Sequence, residues 1–196
     1  MENFDIKLLK REYYFEERFD QIKLGFWAGL GLFSPKKIDD GSRMLLKELK
    51  IAPNDRVLDL GCGYGVLGLV AAKMAPQGQV DLIDKDFVAV EYTKKNIAAN
   101  HISNAQAYLS NLFDQIPPEK QFDVIMSNLP AKVNKEMYWL LFYEALNHLE
   151  PGGQLYIVAI ANLRKFIKRS LKTLFGDCKQ LKLNRNYVVI RATRQN

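Results

Sequence analysis

The stretch Arg56-Val-Leu-Asp-Leu-Gly-Cys-Gly-Tyr-Gly65 constrains this chain more than any other. A short apolar run ends in an acid and three alternating glycines, and Val66-Leu-Gly-Leu-Val-Ala-Ala72 follows at once. The reading is a strand that turns sharply into a helix. Gly61, Gly63 and Gly65 permit positive φ and a close approach of the backbone to a ligand, which a β-carbon would oppose. Strand–turn–helix units of this kind bind nucleotides.

Two cofactor classes use such a unit. Gly63-x-Gly65-x-x-Gly68 satisfies the dinucleotide fingerprint, with Asp84 at a suitable distance for a ribose. Asp59 argues against that class, because a carboxylate at the strand end faces a pyrophosphate unfavourably. The same carboxylate suits a ligand that carries an ammonium and a sulfonium. Asp59-x-Gly61-x-Gly63-x-Gly65 therefore points to S-adenosylmethionine, with Cys62 as a small buried residue within the turn.

The remaining sequence alternates in the same style. After the first strand, which begins near Val57, strands are expected at Val80–Ile83, Ala105–Leu109, Phe122–Met126 and Gln154–Ile160. Helices are expected at Arg43–Leu49 behind the cap-like Asp39-Asp-Gly-Ser42, at Val88–Ala99, at Glu136–Leu149 stopped by Pro151-Gly-Gly153, and at Leu163–Phe175 closed by Gly176. Lys179–Leu183 and Tyr187–Ala192 read as a terminal antiparallel hairpin. Ahead of the sheet, Tyr13–Phe19 and Ile22–Trp27 are aromatic and partly alternating, which predicts a hairpin or flap over residues 1–42 and a main domain over 43–196.

Composition excludes several classes. With 196 residues, 48% of them hydrophobic, the chain suits one domain with a sizeable core. No apolar run reaches bilayer length, and Met1-Glu-Asn-Phe-Asp5 lacks the pattern of a secretion signal, so a cytoplasmic, membrane-free protein is expected. Cys62 and Cys178 form neither a disulfide framework nor a metal cluster, and His101 and His148 stand at helix ends as surface or capping residues. No metal is expected. The net charge is +6, with Arg164, Lys165, Lys168, Arg169 and Lys172 in one helix. That permits an RNA partner and equally describes a solvated helix face.

In open α/β sheets ligands sit beyond the carboxyl ends of the strands. Asp84 suits two ribose hydroxyls, with Lys85 next to it, and Asn111-Leu112 suits an adenine edge. Asn128-Leu129-Pro130 is the candidate catalytic loop. A planar exocyclic amine is a poor nucleophile because its lone pair is delocalised. An Asn oxygen and the next carbonyl, held by a proline, can accept its two N–H groups and turn the lone pair toward a methyl donor.

The glycine motif, Asp84, Ser110-Asn-Leu-Phe113 and Ser127-Asn-Leu-Pro130 together resemble the methyltransferase small-domain family of class I S-adenosylmethionine-dependent enzymes. Upstream, Gly31-Leu-Phe-Ser34 and Ile38-Asp-Asp-Gly-Ser42 look like the family's lead-in, which brings Phe33 into the cofactor site. The family includes guanine-N2 methyltransferases of small-subunit ribosomal RNA and related archaeal proteins. The resemblance implies a Rossmann-like, doubly wound, seven-stranded sheet, mostly parallel, with helices on both faces. It also implies methyl transfer to an exocyclic base amine of ribosomal or other RNA. Members acting on base amines usually carry Asn-Pro-Pro and then a large or aromatic residue, whereas Leu129 and Ala131 stand here. Tyr13, Tyr14, Trp27, Phe33 and Tyr138 are the aromatics that could stack in its place. A same-fold methyltransferase for a small molecule or protein side chain stays open. So do a dinucleotide-dependent oxidoreductase and a non-catalytic RNA-binding module.

Overall fold

The apolar runs that read as strands form the middle of one sheet, where both faces are covered and alternation is lost. In β3 (Arg56–Leu60), Val57, Leu58, Asp59 and Leu60 are all buried. The structure is a computed structural model that describes residues 11–195, so the N-terminal reading at residues 1–5 lies outside the described residues. Within these, β1 (Glu12–Phe19) and β2 (Ile22–Gly29) form a hairpin. There follow α1 (Asp40–Leu46), β3, α2 (Val66–Met74), β4 (Gln79–Asp84), α3 (Phe87–Ala99), β5 (Ala105–Leu109), β6 (Phe122–Asn128) and α4 (Lys135–Asn147). The chain closes with β7 (Leu149–Ile160), a short 3-10 turn, α5 (Arg164–Phe175), β8 (Cys178–Leu183) and β9 (Tyr187–Thr193).

The seven-stranded sheet has the order β5-β4-β3-β6-β7-β9-β8. Its neighbours pair parallel from β5 to β7, and β9 runs antiparallel between β7 and β8. The expected mostly parallel sheet with a terminal antiparallel hairpin is therefore present. Strand order reverses at β3, which pairs with β4 on one side and β6 on the other. A crevice opens at such a switch point. One face of the sheet packs on α1, α2, α3 and the hairpin, and the other on α4 and α5.

The N-terminal hairpin is fastened to α3 by two asparagines one turn apart. Asn96 accepts from the Trp27 N–H at 2.7 Å and donates to its carbonyl at 2.8 Å. Asn100 does the same for Gly25, at 2.9 and 2.7 Å. A helical turn of about 5.4 Å nearly matches two strand residues of about 6.8 Å, so two side chains can bond alternate backbone groups of an edge strand. Gly29 allows the close approach, since a β-carbon there would stand 2.6 Å from the Tyr92 ring. Leu24, Phe26 and Ala28 enter the same core cluster as α2 and β3.

Several boundaries differ from expectation, among them the end of α1 at Leu46 rather than Leu49. Helix α1 starts at Asp40, so Gly41 and Ser42 are its first turn and Asp39 alone is the cap, accepting from the Ser42 N–H. Helix α4 ends at Asn147 with His148 as C-cap, so Pro151-Gly-Gly153 does not stop it. Those residues lie inside β7, bonded to the end of the chain by Gly152 N–H to the Arg194 carbonyl (3.0 Å) and Arg194 N–H to the Gly153 carbonyl (2.9 Å). Gly152 can take the required φ of 81°. His148 is also buried rather than superficial, stacked 5.0 Å from Phe113 with Nδ1 against the Lys120 carbonyl.

Candidate functional site

The turn after β3 has the backbone its glycines allow. Gly61, Gly63 and Gly65 have φ of 75°, 58° and 94°. They divide into two roles. A β-carbon at Gly61 or Gly63 would meet nothing within 4 Å, whereas at Gly65 it would stand 2.5 Å from Leu69 Cδ1. Gly68 is a packing glycine as well, 2.1 Å from Leu82 Cδ2 by the same measure. The open cradle is thus the first half of the turn.

Two carboxylates hold that turn. Asp84 Oδ2 accepts from the Gly63 N–H at 2.9 Å, and its Oδ1 from the Asp86 N–H at 3.0 Å. It is half-buried, and Lys85 beside it is exposed. Asp59 is 1% exposed. Its Oδ2 accepts from the Gly68 N–H at 2.7 Å, while Oδ1 is buried with no partner among the described residues. Burial pushes its carboxyl up to about 7; the Gly68 N–H opposes that, and the nearby Asp84 charge adds to it. A buried carboxylate oxygen left unpartnered costs stability unless a donor reaches it.

The variable positions of the turn are structural. Cys62 is buried, with Sγ 3.6 Å from Thr93 Oγ1, and burial pushes its thiol up. The Tyr64 hydroxyl donates to the carbonyls of Ser34 (3.1 Å) and Lys37 (3.4 Å). Tyr64 thereby pins the loop between β2 and α1 against the glycine turn. Phe33 extends from that loop with 66% of its surface exposed.

The same lead-in reaches the candidate catalytic loop. Asn128, the last residue of β6, donates from Nδ2 to Asp39 Oδ1 (3.1 Å) and Ser42 Oγ (3.0 Å). A carboxylate only accepts, so Asp39 fixes the amide with nitrogen inward and leaves Oδ1 free to accept from a ligand. Leu129 is buried and bonds the Val158 carbonyl through its N–H at 2.9 Å. Its own carbonyl, ahead of Pro130, carries no hydrogen bond among the described residues. The Pro130 carbonyl is taken by the Tyr138 hydroxyl. Tyr138 is 1% exposed, which removes it from the aromatics that could stack on a ligand.

At the β5 end, Asn111 is exposed with Nδ2 3.2 Å from Asp114 Oδ2. Leu112 has φ of 50°, held by the Ser110 hydroxyl on its carbonyl at 2.8 Å. The Ser110 N–H reaches the Asp84 carbonyl at 2.9 Å, so this turn abuts the Asp84 strand end. Asp39, Ser42 and Tyr64 do not stand out as site residues in the sequence. Gly-Tyr-Gly and the cap cluster were visible signals, but each read fully as local structure.

A doubly wound sheet with a glycine turn after the strand at its switch point, an acid after the next strand and an Asn at the end of the fourth is a class I methyltransferase arrangement. Residues 23–191 match the model of the methyltransferase small domain, and the chain belongs to that family. It is 38% identical over 167 residues to ribosomal RNA small subunit methyltransferase C of Hamiltonella defensa, covering 83% of this chain and 48% of that one. It is 34% identical over 169 residues to ribosomal RNA large subunit methyltransferase G of Shewanella amazonensis, covering 83% and 44%. Among solved structures, the 16S rRNA N2 G1207 methyltransferase of T. thermophilus, in complex with AdoMet and guanosine, superposes with a TM-score of 0.85. Identity there is 29%, over 94% of this chain and 51% of that one. The chain spans about half the length of these relatives.

Proposed function

We propose that this chain is an S-adenosylmethionine-dependent methyltransferase that methylates the exocyclic amine of a base, guanine N2 in character, in ribosomal RNA. One observation carries the reading: Asp39 and Ser42 occupy the nitrogen of Asn128, while its oxygen at the end of β6 and the adjoining Leu129 carbonyl have no partner among the described residues.

The residues fit the cofactor. The open space at Gly61 and Gly63 admits a ligand against backbone that a side chain would fill. One Asp59 oxygen has no partner among the described residues and suits an ammonium reached through a water. Asp84 retains accepting capacity for two ribose hydroxyls beside its backbone bonds, with Lys85 at its rim. Asn111 and Leu112 border the base side, Cys62 fills the floor, and Phe33 offers an apolar face from the loop that Tyr64 holds. When bound, S-adenosylmethionine supplies a methyl group on a positively charged sulfur.

Asn128 Oδ1 and the Leu129 carbonyl accept the two N–H bonds of the target amine. This turns its lone pair out of conjugation and stabilises positive charge as the nitrogen becomes tetrahedral. Pro130 holds that carbonyl in place. The proton leaves to water after transfer, so no side chain needs to act as a base at the outset. Ala131 leaves room beside the amine, and Phe33 is the exposed aromatic on the lead-in that can cover a base.

The test is methyl transfer from radiolabelled S-adenosylmethionine into the RNA, protein and small-molecule fractions of an extract. The reading predicts label in RNA that digests to a base-methylated nucleoside. Label confined to protein or small molecules would overturn the substrate and leave the cofactor reading standing.

A further inference from the structure

The positive charge of this chain is concentrated at one end. Residues 161–196 hold ten of the 28 basic residues and one of the 22 acidic ones, Asp177. The rest of the chain has more acids than bases. Six of these ten lie on or beside α5 and β9 in two different settings. Arg194 is used internally, against the Asn147 and Leu149 carbonyls, and Arg164 donates to Gln180. Lys165, Lys168, Arg169 and Lys172 are exposed along the outer stripe of α5, opposite Ile167, Leu171 and Phe175, which enter the core.

This stripe differs from several exposed lysines that stand against a carboxylate. Lys94 pairs with Glu91 at 3.0 Å, Lys95 with Glu12 at 2.7 Å and Lys23 with Glu16 at 2.6 Å. The four α5 bases have no carboxylate within 4.0 Å among the described residues. Like charges four residues apart oppose the helix they stand on, so the arrangement is locally unfavourable.

Its position is also specific. Helix α5 follows β7 at the catalytic edge of the sheet, where Val158 pairs with Asn128. Phe166, in its first turn, lies 5.9 Å from the Tyr138 ring, whose hydroxyl holds the Pro130 carbonyl. Lys135 stands over the Phe166 ring at 5.7 Å. Arg185 sits in the β8–β9 turn, which is joined to the start of the 3-10 turn by Ala161 N–H to the Asn186 carbonyl at 2.7 Å. Exposed bases thus begin beside the catalytic loop and continue for about 10 Å along α5, the rise from residue 165 to 172.

We infer that the outer face of α5, entered from Lys135 and Arg185, binds the phosphodiester backbone of the RNA that flanks the target base. This rests on the RNA reading above. It adds which surface holds the strand and why binding should depend on salt.

The experiment measures binding of a fluorescein-labelled RNA of mixed sequence by anisotropy, between about 50 and 200 mM salt. Lys168→Gln/Arg169→Gln/Lys172→Gln is compared with a control of equal charge loss, Lys23→Gln/Lys47→Gln/Lys50→Gln. Thermal stabilisation by S-adenosylmethionine is followed in both. The α5 variant should reduce the slope of log K against log salt by about 2, from about 0.7 per single-strand phosphate contact, with cofactor stabilisation unchanged. The control should keep the wild-type slope. Equal loss in both variants would overturn the inference, as would an unchanged slope in the α5 variant. Cofactor stabilisation in a wild-type protein that binds no RNA would overturn it while sparing the methyltransferase reading. Charge-dependent binding to phosphatidylserine vesicles without RNA binding would assign the face to a membrane surface instead.

Discussion

Asp39 Oδ1 lies 3.1 Å from Asn128 Nδ2, and the same oxygen accepts the Ser42 N–H at 2.9 Å to cap α1. One carboxylate therefore sets both the start of a helix and the orientation of the amide proposed to hold the acceptor. Asp39→Ala should cost about 1 kcal/mol of stability through the lost cap. It should also lower turnover by roughly 10–100-fold, because the amide loses the partner that fixes it. Asp39→Ser keeps a cap without a charge and separates the two effects. Thermal melts and steady-state transfer assays measure them, with cofactor affinity expected to hold.

The glycines of the turn should fail in different ways. Gly68→Ala places a methyl 2.1 Å from Leu82 Cδ2, and overpacking of this kind costs about 1–3 kcal/mol. The β-carbon of Gly63→Val meets nothing within 4 Å, but the substitution needs a β-branched residue at φ of 58° and fills the cradle. It should abolish cofactor binding with a smaller fall in Tm than Gly68→Ala. Calorimetry with and without S-adenosylmethionine distinguishes the two.

The Asp59 carboxyl, pushed up to about 7 by burial, gives a pH signature. The native state keeps a proton that the unfolded state loses near pH 4, so this group makes stability fall from about pH 4 to about 7 and level off above. A bound ammonium favours the ionised form, so cofactor affinity should rise across the approach to pH 7 and then flatten. Asp59→Asn keeps an acceptor for Gly68 and should remove that pH dependence while weakening binding. Titration calorimetry across the window, wild type against variant, checks the difference. A wild-type affinity that is flat with pH would separate Asp59 from the ligand.

Tyr64→Phe removes the one hydroxyl proton that the Ser34 and Lys37 carbonyls share, a contact worth about 1 kcal/mol when satisfied. The 30–38 loop should loosen over the glycine turn. The KM for S-adenosylmethionine should rise several-fold while kcat changes little, and steady-state kinetics separates the two parameters.

The parts of this molecule that were legible in the sequence are those specified locally. The β3 turn, the strand ends at Asp84 and Asn128 and the terminal hairpin each declared themselves through periodicity, glycine or proline. The link from Asp39 to Asn128 was not legible, because it joins residues 89 positions apart and Asp39 already had a complete local role as a cap. Asn96 and Asn100 read as ordinary polar residues of a helix, and only the arrival of β2 makes them a docking ladder. Pro151-Gly-Gly153 carries the signature of a helix stop. Tertiary pairing with Arg194 absorbs it into β7 instead. Asp59 reads in the sequence as a residue for the ligand, and its bond to the Gly68 N–H is a second role that only the fold displays.

The most direct test concerns Asn128. Single-turnover methyl transfer to ribosomal RNA and the Kd for S-adenosylmethionine are measured on wild type and Asn128→Ala. An essentially unchanged Kd is expected, with a rate lower by roughly 10²–10³-fold, the effect of removing one preorganised polar contact to a developing charge. Full transfer by Asn128→Ala would remove this residue from the mechanism, and with it the reason for reading the site as a holder of a base amine.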